Sequence, residues 1–259
     1  QQLNCEIIII SDVDIICGTD SIKHIINNFS KNEIGCVTAW TKYTNKDLNA
    51  LTRSNNLYHK YEIFIRKMES QLGILGLGMS LTAFPKKLFK PIPLFLADDT
   101  FLPFHILQMG YRVIYEPKII VNALTFTDSI GEFKVRERNA NLDTSELIFM
   151  KSLCNPFKHF MSSLMLISHK LGRWLVPFFF IIIFSINISI LGEPIYDLLF
   201  MAQLLVYSLA LLGFILYLTG IKSRYLTVLY YFFLVNISAT IGFTKAIFGY
   251  RQTKWEPER

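Results

Sequence analysis

Two acidic pairs in the sequence combine residue types and spacing that could do chemistry. Asp12 and Asp14, in SDVD, follow the β-branched run EIIII. Residues two apart share a strand face, so both carboxylates can turn toward one ion. A hard divalent cation such as Mg2+ or Mn2+ takes oxygen ligands, accepts few protein carboxylates and completes its shell with phosphate and water. A solvated strand end is the plainer account of the same two residues. The second pair, Asp98 and Asp99, lies among apolar side chains in FLADDTFLPFHILQMGYRVIYEP, residues 95–117. Adjacent carboxylates repel, and each costs free energy when drawn out of water. At the start of a helix over 101–109 they could instead accept amide hydrogen bonds and meet the positive end of its dipole.

Positioning these pairs takes an alternation of strands and helices. EIIIISDVD reads as a central strand whose C-terminal end opens onto a site. SIKHIINNFS has apolar residues at 22, 25, 26 and 29, a helical spacing, and IGCVTAW and YRVIYEP read as two further strands. Strand, helix, strand predicts an α/β domain with a mostly parallel sheet over residues 1–150. Open sheets of that kind place ligands beyond the carboxyl ends of their strands, where Asp12 and Asp14 fall.

Charge divides the chain in two. Residues 1–173 hold 20 of the 26 Lys and Arg and 16 of the 20 Asp and Glu. The rest contains three runs without a charge, Trp174–Leu191, Leu198–Thr219 and Tyr225–Thr244, each near the ~20 residues that cross a bilayer. As buried soluble helices they would need a very large core around them, so residues 174–250 are expected to form a transmembrane region, with a basic tail at 251–259. Ahead of it, residues 151–173 carry apolar side chains at 157, 160, 161, 164, 167 and 171, with Lys158, His169, Lys170 and Arg173 among them. That pattern suits a helix in the headgroup plane, with a core-packing helix as the alternative. Cys5, Cys17, Cys36 and Cys154 lie far apart without metal-ligand spacing, so neither a zinc site nor a disulfide framework is expected. The net charge of +6 is spread out, with no basic aromatic stripe. Membrane lipids with anionic headgroups fit it as partners better than nucleic acid does.

The order of these features is distinctive: D-x-D after an apolar strand, a glycine-containing turn, D-D before a helix, then a membrane part. It resembles the membrane-bound family 2 glycosyltransferases, the superfamily of cellulose and hyaluronan synthases, and within it a non-processive branch. SDVD falls on the family's metal- and nucleotide-diphosphate-binding D-x-D. LGLGMSLTAFPKKLF, with Gly76 and Gly78, resembles the segment beside donor and acceptor, and ADDTFLPFHILQMGYRVIYEP matches the acidic motif. SHKLGRWLVPF and the stretch from YYFFLVN to TKWEPER are similar to the membrane portion. The resemblance implies part of a GT-A catalytic domain followed by membrane helices. It implies an inverting hexosyltransferase that uses Mg2+ or Mn2+, a UDP- or GDP-sugar donor and a lipid-linked or glycan acceptor, as in polysaccharide biosynthesis. It also makes Asp99 the general base and Asp98 its motif partner, with Asp12 and Asp14 on the metal and diphosphate side.

The sequence departs from the family in two places. Processive members carry Q-x-x-R-W after the acidic motif; here the stretch is VRERN, with Val135 and Asn139 at the Gln and Trp positions. Arg138 keeps the cation that meets the diphosphate and Arg136 can assist it, since a guanidinium fork suits phosphate. Losing the stacking Trp disfavours a processive polysaccharide synthase, which stays as an alternative beside a non-catalytic glycosyltransferase-like subunit. Nothing ahead of SDVD corresponds to the strand and loop that hold the nucleotide base, and no start methionine or signal peptide precedes it. The chain is therefore expected to be the later part of a longer protein and inactive by itself. A transporter is disfavoured because the apolar spans hold Asn187, Gln203 and Asn236 but no ionisable group.

Loop charges give a partial topology. GEPIYD has no Lys or Arg and GIKSRY has two, which places the catalytic domain and the second loop in the cytoplasm. Three full crossings would leave the basic tail outside, against the same rule. Either the last apolar stretch is re-entrant with Gly242 as a break, or a further span exists.

Overall fold

The computed structural model describes residues 5–13, 15–43, 50–74, 80–123, 129–221 and 223–251; Asp14, Gly76 and Gly78 lie outside them. Five strands, β1 (Ile7–Ser11), β2 (Ile16–Cys17), β3 (Ile34–Tyr43), β4 (Leu81–Pro85) and β5 (Arg112–Ala123), form one sheet in the order β1-β4-β3-β5-β2. Of the strand pairings among the described residues, β3–β5 is parallel, extended by a parallel bridge from Ile74 to Val113, and the other three are antiparallel. The sheet is thus mixed, not mostly parallel, and β1 is an edge strand, not a central one. One strand accounts for the place of β1 and for two of the three antiparallel pairings, and the short β2, antiparallel to β5, accounts for the third. The LTAFP segment is itself a strand, β4, and it enters between β1 and β3 in the opposite direction. Its first four residues are buried, as an inner strand requires.

Side chains alternate across the sheet. Cys36 faces a core with Phe84, Phe101, Phe104 and Val113, whereas Val37 faces one with Ile25, Leu81, Ala83 and Val121. Helix α1 (Ser21–Asn28) covers the second face, and α3 (Asp98–Gln108) the first. Gly35 permits the close approach of β3 to α3: a Cβ there would lie 2.6 Å from Ile106 and 2.5 Å from Tyr111. In the β3–β5 ladder, Ala39 opposes Glu116 but Trp40 opposes Ile120, so the register jumps across Pro117, which has no N–H to pair. Helix α2 (Ala50–Leu72), which the periodicity did not announce, precedes β4. Helix α4 (Ser129–Phe149) leads out of the domain.

Beyond α4 the chain is helical. Short α5 (Phe160–Met165) passes through a π-helical turn, Leu166–Leu171, into α6 (Gly172–Ser189), followed by α7 (Pro194–Leu218) and α8 (Arg224–Ile247). Among the described residues, three helices are long and apolar enough to cross a membrane: Phe160–Ser189, Pro194–Leu218 and Tyr225–Ile247. The sequence pattern divided 151–173 from the first of these, but 160–189 is one continuous rod. Helices α6 and α7 run antiparallel, with Phe184 stacked on Phe200 at 5.6 Å and Phe180 edge-on to Tyr207 at 6.5 Å. Asn187 donates to Gln203 at 2.9 Å and Gln203 donates to the Tyr207 hydroxyl at 2.6 Å, so these polar groups satisfy one another inside an apolar pair. Gly242 does not break α8. A Cβ there would fall 2.1 Å from the Glu137 carbonyl oxygen on α4, so the missing side chain is what lets the two backbones touch.

Candidate active site

The domain and the apolar helices together line an open-mouthed cavity of about 830 Å³. One wall is charged: Asp12, Asp99, Arg136, Arg138, Asp143 and Lys170. The facing wall is apolar, with Trp174 and Val176 from α6 and the stripe Val228, Phe232, Val235 and Ala239 from α8. That stripe repeats every three or four residues, so one face of α8 roofs the cavity.

Four elements bring these groups together: Asp12 comes from the end of β1, Asp99 from α3, Arg136, Arg138 and Asp143 from α4, and Lys170 from the π-helical turn. Asp12 follows β1 directly, and its N–H donates to the Ser80 carbonyl at 3.0 Å, carrying the β1–β4 pairing one residue further. Asp98 and Asp99 open α3, whose N-cap is Ala97; no side chain caps this end, so neither aspartate plays the capping role. The Ala97 N–H is taken instead by Glu146 Oε1 at 2.7 Å, from α4. The acidic pair is therefore held by a carboxyl group some fifty residues downstream in the chain. The two aspartates then differ: Asp98 is exposed and does not line the cavity, while Asp99 is half-buried in its wall. Burial, then the negative charges of Asp143, Asp98 and Asp12, push the Asp99 carboxyl up to about 7, with Lys170 opposing them. Pro103, four residues on, has no N–H to return to the Asp99 carbonyl, which loosens the helix ladder at this point.

The two arginines also differ. Arg136 is engaged: it donates to Glu132 at 2.7 Å and lies 3.5 Å from the Tyr231 hydroxyl, which itself donates to Glu132 at 2.9 Å. This triad joins α4 to α8. Arg138 has its Nε buried without a hydrogen-bond partner among the described residues, and its terminal nitrogen lies 3.5 Å from the neighbouring Asn139 side chain. Burial pulls the Arg138 pKa down, and the charges of Asp99 and Asp12 push back. A cation so placed can receive an anionic ligand with its guanidinium fork.

A further layer was not legible from the motifs. Asp143 accepts from Lys170 at 2.5 Å, linking α4 to the π-helical turn. Glu146 is fully buried, its Oε2 has no hydrogen-bond partner, and burial together with Asp143 and Asp99 raises its pKa well above the ordinary carboxyl range. Glu62 on α2 pairs with Arg173 and lies 3.5 Å from His169, whose other ring nitrogen meets Glu69 at 2.5 Å. Burial alone would raise the Glu62 carboxyl; His169, Arg173 and Arg66 around it hold it well below the usual range. The spacing of Arg136, Ala140 and Asp143, four and then three residues apart on one helix, is the signal that could have extended the site along α4.

Among the described residues no group of three or more His, Cys, Asp or Glu is placed to hold a metal ion. A metal held by one or two carboxylates, phosphate and water would not produce such a group, and Asp12 supplies a suitable hard oxygen donor at the cavity wall. The residues present fit such an ion, with Asp14 outside the described part.

The chain matches no protein-family model and no curated protein. Among solved structures it is similar to the mannosyltransferase PcManGT from Pyrobaculum calidifontis, in complex with GDP-Man and Mn2+, with a TM-score of 0.57 and 20% sequence identity. The likeness covers 93% of this chain and 62% of that one, so the chain spans less than two thirds of the mannosyltransferase it matches. What the likeness shows is a shared fold, over most of this chain, with a glycosyltransferase whose structure holds a nucleotide sugar.

Proposed function

We propose that this chain carries the catalytic and membrane parts of an inverting family 2 glycosyltransferase. It moves a sugar from a UDP- or GDP-linked donor to a lipid-linked or glycan acceptor at the membrane. The observation that carries the reading is the convergence of Asp99, Arg138 and Asp12 on one cavity whose opposite wall is apolar. Asp99 accepts the acceptor hydroxyl proton as that oxygen attacks the anomeric carbon. The bond from that carbon to the diphosphate breaks, its electron pair leaves with the nucleoside diphosphate, and configuration inverts. Arg138 meets the diphosphate, while Arg136 holds α8 against α4 through Glu132 and Tyr231. Asp12 and Asp14 would hold Mg2+ or Mn2+, which when bound neutralises the leaving diphosphate. The apolar wall suits the hydrophobic part of a membrane acceptor, and the similarity to a structure holding GDP-Man and Mn2+ supports a nucleotide-sugar donor. Under this reading the α/β domain lies on the cytoplasmic face.

The test is Asp99→Asn in the full-length protein, which keeps size but cannot accept the proton. Transfer should fall by about 10²–10⁴ with donor affinity nearly unchanged. Near-normal transfer, or a defect entirely in donor affinity, overturns the assignment.

A further inference from the structure

Helix α8 has the composition of a membrane span but not the neighbours of one. Its first turns meet the last turns of α7: the Tyr230 ring lies tilted at 5.6 Å from Phe214 and 5.5 Å from Tyr217. Its last turns meet the first turn of α6: Phe243 lies 5.7 Å from Trp174, and the Thr240 hydroxyl lies 3.5 Å from the Trp174 carbonyl oxygen. Because α6 and α7 are antiparallel, the start of α6 and the end of α7 are the two feet of one hairpin. Between these ends Phe233 reaches up to Phe180 at 5.8 Å and Tyr207 at 5.7 Å, so α8 runs obliquely from one foot to the other with its aromatic side chains wedged into the hairpin.

The other side of α8 rests on α4, and contacts advance together along both helices. Tyr231 meets Glu132, Gly242 meets Glu137, Ala140 and Asn141, and Arg251 donates to Ser145 at 3.1 Å. Lys245 pairs with Glu137. Helix α4 carries Glu132, Lys134, Arg136, Glu137, Arg138, Asp143 and Glu146, a density of charge that hydrocarbon does not accept. A helix laid along it must share its depth. Burial agrees: 33% of the apolar window of α8 is buried in the protein, against 11% for each of the other two. Aromatic residues with a polar atom also collect at this level. Trp174, Tyr217, Tyr230 and Tyr231 lie at the hairpin feet, and exposed Tyr225 and Tyr250 flank α8, as at a membrane–water boundary.

We infer that α8 is an interfacial helix whose outer surface meets the lipid headgroup layer, that the chain crosses the bilayer twice, through α6 and α7, and that the segment after α8 returns to the side of the α/β domain. Two crossings put every basic connection on one side and leave the acidic loop GEPIYD alone on the other, which removes the charge conflict of a three-span topology. The inference stands on helix packing and is independent of the transfer reaction.

The experiment labels single cysteines with a membrane-impermeant maleimide in sealed membrane vesicles carrying the full-length protein. Glu193→Cys probes the α6–α7 loop, Gln252→Cys the tail and Lys118→Cys the α/β domain. Gln252→Cys should react from the same side as Lys118→Cys and opposite to Glu193→Cys. Tail labelling on the Glu193 side overturns the inference, as does labelling of all three from one side. A protease site inserted after Gly249 repeats the reading without removing native cysteines. Nitroxides at Tyr225, Ile237 and Ile247, read by oxygen against a polar nickel complex, should report one shallow depth; a maximum at Ile237 overturns the inference too.

Discussion

If Asp99 removes the acceptor proton, its surroundings set the pH dependence of transfer. Its carboxyl is raised to about 7 by burial and by Asp143, Asp98 and Asp12, with Lys170 working the other way. A base must be ionised to accept a proton, so at saturating donor the rate should follow the ionised fraction. That fraction is about one part in eleven at pH 6 and about ten in eleven at pH 8, a rise of about tenfold across the two pH units. Two substitutions should move this rise in opposite directions. Asp143→Asn removes the largest of the like-charge contributions and leaves Lys170 without its partner; both changes favour the ionised form, so the rise shifts to lower pH. Lys170→Met removes the opposing cation, and the rise shifts to higher pH. The assay is initial-rate sugar transfer to a membrane acceptor by the full-length protein between pH 5 and 9, with donor binding measured separately by calorimetry. A profile flat from pH 6 to 8, or displacement of both variants in one direction, would refute the assignment of the base and of its electrostatic neighbours.

Three other outcomes follow from the same geometry. Arg138→Ala removes charge-assisted hydrogen bonds to the diphosphate, worth roughly 1.5–3 kcal/mol, so donor affinity should fall about 10- to 100-fold by calorimetry with the fold intact by circular dichroism. Gly242→Ala places a Cβ 2.1 Å from the Glu137 carbonyl oxygen and should lower thermal stability by about 1–3 kcal/mol of overpacking, whereas Gly220→Ala, with open space at its Cβ but a φ of +77°, tests strain without a clash. Treatment with a chelator should abolish transfer, and Mn2+ or Mg2+ should restore it; undiminished turnover in chelator would remove Asp12 from any metal role.

Local signals carried much of the molecule and failed where partners are distant. Strand β1, helix α1, strand β3 and the three apolar helices follow from β-branched runs, helical spacing and charge-free length. Strand β4 did not, because its buried LTAFP sits between a glycine segment and a lysine pair that read as a loop. Missing it, together with the two-residue β2 that pairs antiparallel to β5, turned a mixed sheet into a parallel one and moved β1 to the centre. In the site, Asp12, Asp99 and Arg138 were visible as motif positions. The carboxyl that anchors Ala97 was not, since Glu146 lies far along the chain on a helix whose polar residues look solvated. Lys170 likewise looked like a headgroup contact, and only the docking of the π-helical turn on α4 shows that it answers Asp143.

The π-helical turn at Leu166–Leu171 fixes the rotational phase between two halves of one rod. Relative to an α-helix, a turn closed by i to i+5 bonds holds one extra residue, which rotates everything before it by about 100° against everything after. Around this wide turn His169, Lys170 and Arg173 answer Glu69, Asp143 and Glu62, while Trp174 is handed to α8. Deleting a single residue between 166 and 169 would leave composition and hydropathy almost untouched and rethread the rod as plain α-helix. The segment before the deletion would then be out of phase with the domain it docks on, so a one-residue gap here is a far larger change than most substitutions in the same stretch.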